Sequence, residues 1–273
     1  MAIKPPPSYL EGHNLLDGKV VVVTAAAGTG IGSAVARRCI EEGAVVVISD
    51  SHEKRLNSTS EILSQIKGEA PLAILCDVTE EKQVQNLFDQ TIKEHGRIDV
   101  LINNAGLGAQ SLLVEMDDAE WSRVIDVTLN GTMRCTRAAL KTMQKNNKGV
   151  IVNNASVLGW RAQSGQSHYA AAKAGVMAFT RCVAIEAAEY NIRVNCVAPS
   201  LAMHPNLAKS SNQDLIDSLI EKEVMGRAAE PWEVANVMVF LASEYSSYMT
   251  GEVISVSSPV SYTHLTLPTI CSV

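Results

Sequence analysis

Residues Lys19 to Thr24 (KVVVVT) form a short β-branched apolar run, the pattern of a strand buried on both faces, and a glycine-rich turn follows at once. Such a strand needs helices above and below it, which restricts the chain to layered α/β architectures. The rest of the sequence repeats the unit. Ile31, Ala34, Val35 and Ile40 recur at helical spacing before Gly43, which stops the helix, and Ala44 to Ser49 is a second buried strand. A polar helix then spans about Glu53 to Lys67, a strand Leu72 to Cys76, a helix Glu80 to His95 and a strand Val100 to Asn103. A long helical pattern from Ala119 to Lys145 leads to the strand Val150 to Asn153. The helix His168 to Tyr190, the strand Arg193 to Val197, the helix Pro231 to Ser243 and the strand Glu252 to Val256 complete the series. The alternation predicts one α/β domain over residues 1–258, a doubly wound parallel sheet of about seven strands with helices on both faces.

Composition removes several function classes. At 47% hydrophobic and 19% charged over 273 residues, the chain suits one compact domain and not a disordered polymer. Lysine and arginine total 23 against 29 aspartates and glutamates, so no basic field exists to hold nucleic acid or anionic lipid. The six cysteines, Cys39, Cys76, Cys135, Cys182, Cys196 and Cys271, lie far apart without a CxxC pair, which predicts neither a disulfide framework nor a metal site. His52, His95 and His204 have no partners at ligand spacing and read as solvated. Prolines and acidic residues interrupt the first twenty residues, excluding a signal peptide, and no apolar run reaches the roughly 18 residues of a membrane span. A cytoplasmic protein is expected. Residues 200–226 break the rhythm with a long polar connection that suits a substrate lid. Residues 259–273 carry no Lys, Arg, Asp or Glu and read as a disordered tail or a cloning scar.

Between the first strand and helix, Gly28, Gly30, Ile31 and Gly32 supply a backbone that can approach a pyrophosphate closely, with helix N–H groups aimed at it. The alternative is a merely tight turn. Asp50 stands at the end of the second strand, where a carboxylate can accept both hydroxyls of an adenosine ribose and repel a 2′-phosphate. Asp50 therefore favours NAD over NADP, although Lys54 and Arg55 follow it and could attract a phosphate; a plain cap is its other reading.

Tyr169 and Lys173 are four residues apart in one helix, so both lie on one face about 6 Å apart. A phenol with an ordinary pKa near ~10 is a poor base at neutrality, and an adjacent ammonium favours its ionised form. Ser156 follows a strand and falls at the carboxyl edge of the sheet, where ligands of open parallel sheets bind. A YxxxK pair alone is usually a surface accident; joined to a strand-end serine and an upstream glycine turn it becomes specific.

With these residues in place, the sequence resembles the short-chain dehydrogenase/reductase family over Gly18 to Ser257, which implies a Rossmann fold. Cys76-Asp77-Val78 is similar to the family's adenine-binding strand end, and Asn103-Asn104-Ala105-Gly106 to its NNAG turn. The resemblance implies that Asp77 and Val78 hold the adenine, that Asn104, Ala105 and Gly106 shape the cofactor site, and that Pro199 lies over the nicotinamide. It further implies that Lys173 binds the nicotinamide ribose, Ser156 the substrate oxygen, and that Tyr169 exchanges the alcohol proton as hydride moves. The sequence departs from the family in three places. Thr24 and the glycines Gly30 and Gly32 are one residue further apart than in TGxxxGxG. Thr128 stands where a helix asparagine supports the proton relay, with Asn130 on another face. Ser200 and the pair Ser257-Ser258 replace glycines.

The activity implied is interconversion of a secondary alcohol and a ketone. Trp160 and Arg161, between Ser156 and Tyr169, offer an aromatic face and a guanidinium for a flat apolar substrate bearing an anionic group; packing and a surface ion pair are their other reading. Residues 153–163 and the ending Tyr245 to Ser258 resemble a bacterial branch implicated in steroid-ring breakdown, acting on ring-derived acids or their CoA thioesters. A 3-oxoacyl reductase using NADPH and a non-catalytic nucleotide-sensing module are the alternatives. His168, at a helix start, reads as a cap or surface residue, Trp121 and Trp232 as packing anchors, and Cys39, Cys135 and Cys182 as small core residues. Apolar residues on more than one face of the two longest helices predict a homo-oligomer, and the resemblance implies a homodimer or homotetramer.

Overall fold

The computed structural model describes residues 5–203 and 213–258. Seven parallel strands, β1 (Val20–Val23), β2 (Val45–Asp50), β3 (Leu72–Leu75), β4 (Val100–Asn103), β5 (Gly149–Asn154), β6 (Ile192–Pro199) and β7 (Val253–Val256), form one sheet in the order β3-β2-β1-β4-β5-β6-β7. The helices α1 (Ile31–Glu41), α2 (Glu53–Lys67), α3 (Glu81–His95), α4 (Asp118–Ile125), α5 (Gly131–Asn146), α6 (Ser167–Ala188), α7 (Gln213–Ile220) and α8 (Pro231–Ala242) are distributed around it.

Successive side chains of a strand point to opposite faces, and β1 shows why its valines are contiguous. Val21 and Val23 join a core with Val35 and Cys39 of α1 and Val234 and Met238 of α8. Val22 joins the opposite core, with Leu87 of α3, Cys135 of α5 and Ala184 of α6. Each fully buried valine contributes about 1.5–3 kcal/mol, so a polar residue is costly on either face. Local signals set the helix ends: the His52 ring caps α2, the Asp117 carboxylate caps α4 through the Glu120 N–H, and Gly68 and Gly96 end α2 and α3 in the left-handed region.

Residues ahead of β1 pack on α1 and α8. The Tyr9 ring meets Trp232 edge-on at 5.4 Å and lies under the Arg37 guanidinium at 5.1 Å, so Trp232 is the packing anchor expected. Glu42, buried, accepts from the N–H groups of His13 and Leu15 and pairs with buried Arg38.

Several expectations need correction. The long helix is broken by a π-helical turn, Asp126–Asn130, between α4 and α5. The connection read as a lid contains α7, whose apolar residues were masked by the polar residues around them; the part of it at residues 204–212, with His204, lies outside the described residues, as do 259–273 with Cys271. Cys182 is exposed and not in the core, because its neighbours Val183 and Ala184 take the face of α6 against the sheet. His52 is exposed as expected, whereas His95 is half-buried with its Nε2 enclosed. Among the described residues no helix is long and apolar enough to cross a membrane, and no group of three His, Cys, Asp or Glu could hold a metal.

Candidate active site

Strands β1 and β4 are neighbours, although the chain leaves them toward opposite ends of the sheet. Their carboxyl ends therefore diverge and open a crevice, the usual ligand position in such sheets. The turns after them are sewn together. The Thr24 hydroxyl accepts from the backbone N–H of Asn104 at 3.0 Å and of Ala105 at 3.1 Å. Ala25 takes a left-handed φ of 49° and Gly28 one of 95°. The Ala27 N–H donates to the Asp50 carboxylate at 3.2 Å and the Gly28 N–H to the Thr59 hydroxyl at 3.0 Å. A Cβ at Gly32 would fall on the Ala25 carbonyl oxygen and the Asn104 amide, so the glycine there permits α1 to approach the turn. Gly30 caps α1, whose first turn holds no acidic residue and leaves its N–H groups to an anion.

Beside this turn lies a cleft of about 840 Å³. Of the residues expected to bind cofactor, Asp50, Asp77, Val78, Ala105 and Gly106 line it, whereas Gly28, Gly30, Ile31, Gly32, Asn104 and Pro199 do not. Asn104 is occupied as a brace, its amide nitrogen on the Thr24 and Ala25 carbonyls at 3.3 and 3.0 Å. Pro199 ends β6 beside Val256. Asp50 also accepts from the His52 N–H at 2.9 Å and faces the Arg55 guanidinium at 3.7 Å. Asp77 accepts from the Thr79 N–H and hydroxyl at 2.9 and 2.8 Å.

Arg55, which the sequence offered as a partner for a phosphate, lines the cleft, and so do Leu107, Trp121, Asp126 and Asn130, which the sequence did not assign to it. Trp121, 39% exposed, is thus a cleft residue and not only a packing anchor. Asn130 and Arg134 both hold the Asp126 carboxylate, at 2.9 and 2.8 Å. The π turn carries Asp126 and Asn130 to the cleft, as such turns often do at functional sites, and it shows only in backbone bonding, so the sequence held no signal for them.

Ser156, Tyr169 and Lys173 come together beyond Gly106 and Gly108. Ser156 caps a short 3₁₀ turn after β5, its hydroxyl accepting from the Leu158 N–H at 3.2 Å. Lys173 is buried, with Nζ 5.5 Å from the Tyr169 ring centre, and donates to the Asn154 carbonyl oxygen at 2.6 Å. A Cβ on Gly106 would stand 3.1 Å from that Nζ, and one on Gly108 would stand 3.8 Å from the Tyr169 ring. Gly106 lines the cleft, whereas Gly108 and the expected cofactor residues Tyr169 and Lys173 do not, so the pair lies behind Gly106. Burial pushes the Tyr169 phenol up, and the Ser156 hydroxyl pulls it down. Burial pulls the Lys173 ammonium down to about 8. Within the polypeptide, then, burial dominates both groups, and the group that lowers the Tyr169 phenol is the Ser156 hydroxyl and not the expected Lys173.

The remaining candidates are placed as follows. Thr128 is fully buried in the π turn, its hydroxyl accepting from the Leu107 N–H at 3.0 Å. Trp160 is 53% exposed and Arg161 half-buried in the segment after Ser156, and neither lines the cleft. His168 neither caps α6 nor lies at the surface: Gln166 is the cap, and the imidazole is fully buried, with Nε2 3.5 Å from the Glu120 carboxylate. The contact between α4 and α6 encloses it, which sequence periodicity could not reveal.

Known proteins resemble this chain throughout. The family model described as enoyl-(acyl carrier protein) reductase matches residues 25–258. The (5R,7aS)-5-hydroxy-7a-methyl-1-oxo-2,3,5,6,7,7a-hexahydro-1H-indene-carboxyl-CoA reductase of Mycobacterium tuberculosis is 60% identical over 258 residues, 94% of this chain and 98% of its own. The 3-oxoacyl-(acyl-carrier-protein) reductase FabG of Thermotoga maritima is 39% identical over 88% of this chain and 97% of its own. Among solved structures, a short chain dehydrogenase from Mycobacterium smegmatis superimposes with a TM-score of 0.83 at 56% identity, over 93% of this chain and 98% of that one.

Proposed function

The chain belongs to the short-chain dehydrogenase/reductase family and is an oxidoreductase, and from that premise we propose that it interconverts a secondary alcohol and a ketone with NAD, on the CoA thioester of a ring-derived acid. The observation that carries the reaction is the meeting of Ser156, Tyr169 and Lys173 beside a cleft lined by Asp50, Asp77 and Gly106. The substrate class rests on the 60% identical CoA-ester reductase, and the ring-breakdown branch is the one the sequence itself resembles.

The residues fit a dinucleotide. Asp50 would hold the adenosine ribose, Asp77 and Val78 the adenine, the segment Gly28, Gly30, Ile31 and Gly32 the pyrophosphate, and Lys173 the second ribose, with Asn104, Ala105, Gly106 and Pro199 shaping the passage. The bound nicotinamide supplies or accepts the hydride. Ser156 donates a hydrogen bond to the carbonyl oxygen of the substrate. In reduction Tyr169 gives its phenolic proton to that oxygen as the carbon gains hydride; in oxidation its phenolate removes the carbinol proton as the hydride leaves. Lys173, when charged, stabilises that phenolate. Thr128 steadies the turn after β4 beneath Lys173. Trp160 and Arg161, in the segment after Ser156, would meet the ring and the anionic end of the substrate.

A second reading, a 3-oxoacyl reductase using NADPH, draws on the 39% identical FabG and on Arg55, whose guanidinium borders the cleft beside Asp50 and could face a 2′-phosphate. A homo-oligomer belongs to the same proposal: Ile185 of α6 is 81% exposed, and Leu113 and Val114 before α4 are 68% and 92% exposed, areas a second copy would cover.

The test is a spectrophotometric screen of both dinucleotides with ring-derived and straight-chain 3-oxoacyl or hydroxyacyl thioesters and simple secondary alcohols. Turnover with NAD and the ring thioester, lost by about 10²-fold or more in Tyr169→Phe, is expected. Equal turnover of Tyr169→Phe would overturn the mechanism, and a preference for NADPH with straight-chain thioesters would favour the second reading.

A further inference from the structure

Hydrogen bonds link the glycine turn to Lys173 through two asparagines. The Asn104 amide nitrogen donates to the Ala25 carbonyl at 3.0 Å. The Asn104 side-chain oxygen accepts from the Asn154 amide nitrogen at 3.0 Å. The Asn154 backbone carbonyl accepts from the Lys173 ammonium at 2.6 Å. We infer that Asn154 is a positioning residue, whose side chain, anchored on Asn104, orients the carbonyl that holds Lys173, so that the cofactor turn and the lysine are set as one unit.

Three observations support this assignment. Asn154 is the last residue of β5, and its peptide unit with Ala155 is shared between the sheet, where the Ala155 N–H donates to the Val197 carbonyl at 2.8 Å, and the site, where its carbonyl receives Lys173. Its side-chain oxygen is enclosed without a hydrogen-bond partner. An asparagine at the end of a buried strand that leaves one polar atom unsatisfied is a poor choice for stability, and a β-branched apolar residue would suit the position better. What the amide does provide is the bond to Asn104.

The ladder bond of Ala155 fixes the plane of that peptide from the β6 side, and among the described residues only Asn104 holds the Asn154 side chain. The Thr128 hydroxyl, which comes from the π turn near Lys173, is committed to the Leu107 backbone at 3.0 Å. Gly106 faces the ammonium without a side chain. The titratable groups near Lys173 are Tyr169 on its own helix and Cys196 on β6, and neither is the acceptor in the 2.6 Å bond.

The catalytic meaning of this inference rests on the hydride-transfer reading, while its geometric content is measured without turnover. The experiment follows Lys173 ionisation by nuclear magnetic resonance of carbon-labelled lysine in the whole protein, in wild type and Asn154→Val, with Lys173→Met to assign the signal. A loosened carbonyl stabilises the ammonium less, so the midpoint should fall by about half to one pH unit in Asn154→Val. The turnover number should fall roughly tenfold while the dinucleotide dissociation constant changes by less than about twofold. Asn104→Ala and the double variant complete a cycle: if the two amides act through one another, the double variant should shift the midpoint no further than either single one. An unmoved midpoint in Asn154→Val overturns the inference, as do additive shifts in the cycle. If Asn104→Ala does not fold, Asn154→Val decides alone. A wild type with no dehydrogenase turnover but a shifted midpoint in Asn154→Val would count against the proposed reaction and leave the positioning role standing.

Discussion

The Asn104 amide nitrogen lies 3.0 Å from the carbonyl oxygen of Ala25, and this bond fastens a residue whose backbone is held at a left-handed φ of 49°. An L-residue in that region costs about 1–2 kcal/mol, because its Cβ crowds the following carbonyl. The turn tolerates the cost because Asn104 and the Thr24 hydroxyl tie β1 to β4 around it.

Ala25→Gly should accordingly stabilise the protein, the relief of strain outweighing the extra chain entropy of glycine by about 0.5–1 kcal/mol. Gly32→Ala should do the reverse by about 3 kcal/mol or more, since its Cβ would land on the Ala25 carbonyl and the Asn104 amide. Urea denaturation of the two variants checks both signs; a destabilised Ala25→Gly would show that the turn is not strained.

The pH dependence of stability contains opposing parts. Lys173, held down to about 8, releases its proton in the folded state before the unfolded chain does. Between about pH 8 and the ordinary lysine value near ~10.4 the unfolded state binds more protons, so this group makes stability rise with pH. Cys39 and Cys76, pushed up to about 12, and Cys196, pushed up to about 11, keep their protons in the folded state while unfolded thiols lose them. They make stability fall above about pH 8.5. Comparison with Lys173→Met separates the two. The stability of wild type relative to that variant should rise from pH 8 to pH 10 by on the order of 2 kcal/mol. A flat difference would mean that Lys173 is not desolvated.

The strands and most helices were legible because both faces of the sheet are covered and each strand is a contiguous apolar run, as in β1. Ser156, Tyr169, Lys173 and Asp50 were legible for a related reason: they sit at strand ends or at helical spacing, which chain position alone reveals. The π turn was not, because Asp126 to Asn130 keep a helical composition and the extra residue per turn shows only in backbone bonding. Nor was the burial of His168, which depends on how α4 crosses α6. Trp121 reaches the cleft by the same kind of tertiary contact, and Asn154 differs from a strand-end polar residue only through its bond to Asn104.

The N-terminal strap offers a further test. Glu42, buried, receives the Arg38 guanidinium and the N–H groups of His13 and Leu15. Removing one partner of a buried ion pair leaves the other charge unpaired, so Glu42→Ala should cost about 3–5 kcal/mol. It should also free residues ahead of β1 to proteolysis at low protease, while Tyr9→Phe, which loses only a bond at the surface to Glu41, should leave cleavage near the wild-type rate. Equal protection in Glu42→Ala would show that Tyr9 and Trp232 suffice to hold the strap.

Asp50 holds the turn with the carboxylate that the proposed reading assigns to the adenosine ribose, and the two roles can be separated. Asp50→Asn keeps a side-chain oxygen that can accept from either the Ala27 or the His52 N–H and removes the charge. A 2′-phosphate is repelled by the carboxylate and attracted by Arg55, 3.7 Å from it. Losing the repulsion should raise the ratio of kcat/KM with NADP to that with NAD by about tenfold, most of it through the NADP term. Arg55→Ala in the same background should return the ratio toward the wild-type value, because the cation that would hold the phosphate is gone. If Asp50→Asn lowers both cofactors equally and Arg55→Ala changes nothing, the carboxylate serves the turn alone, and the proposed choice of NAD loses its basis.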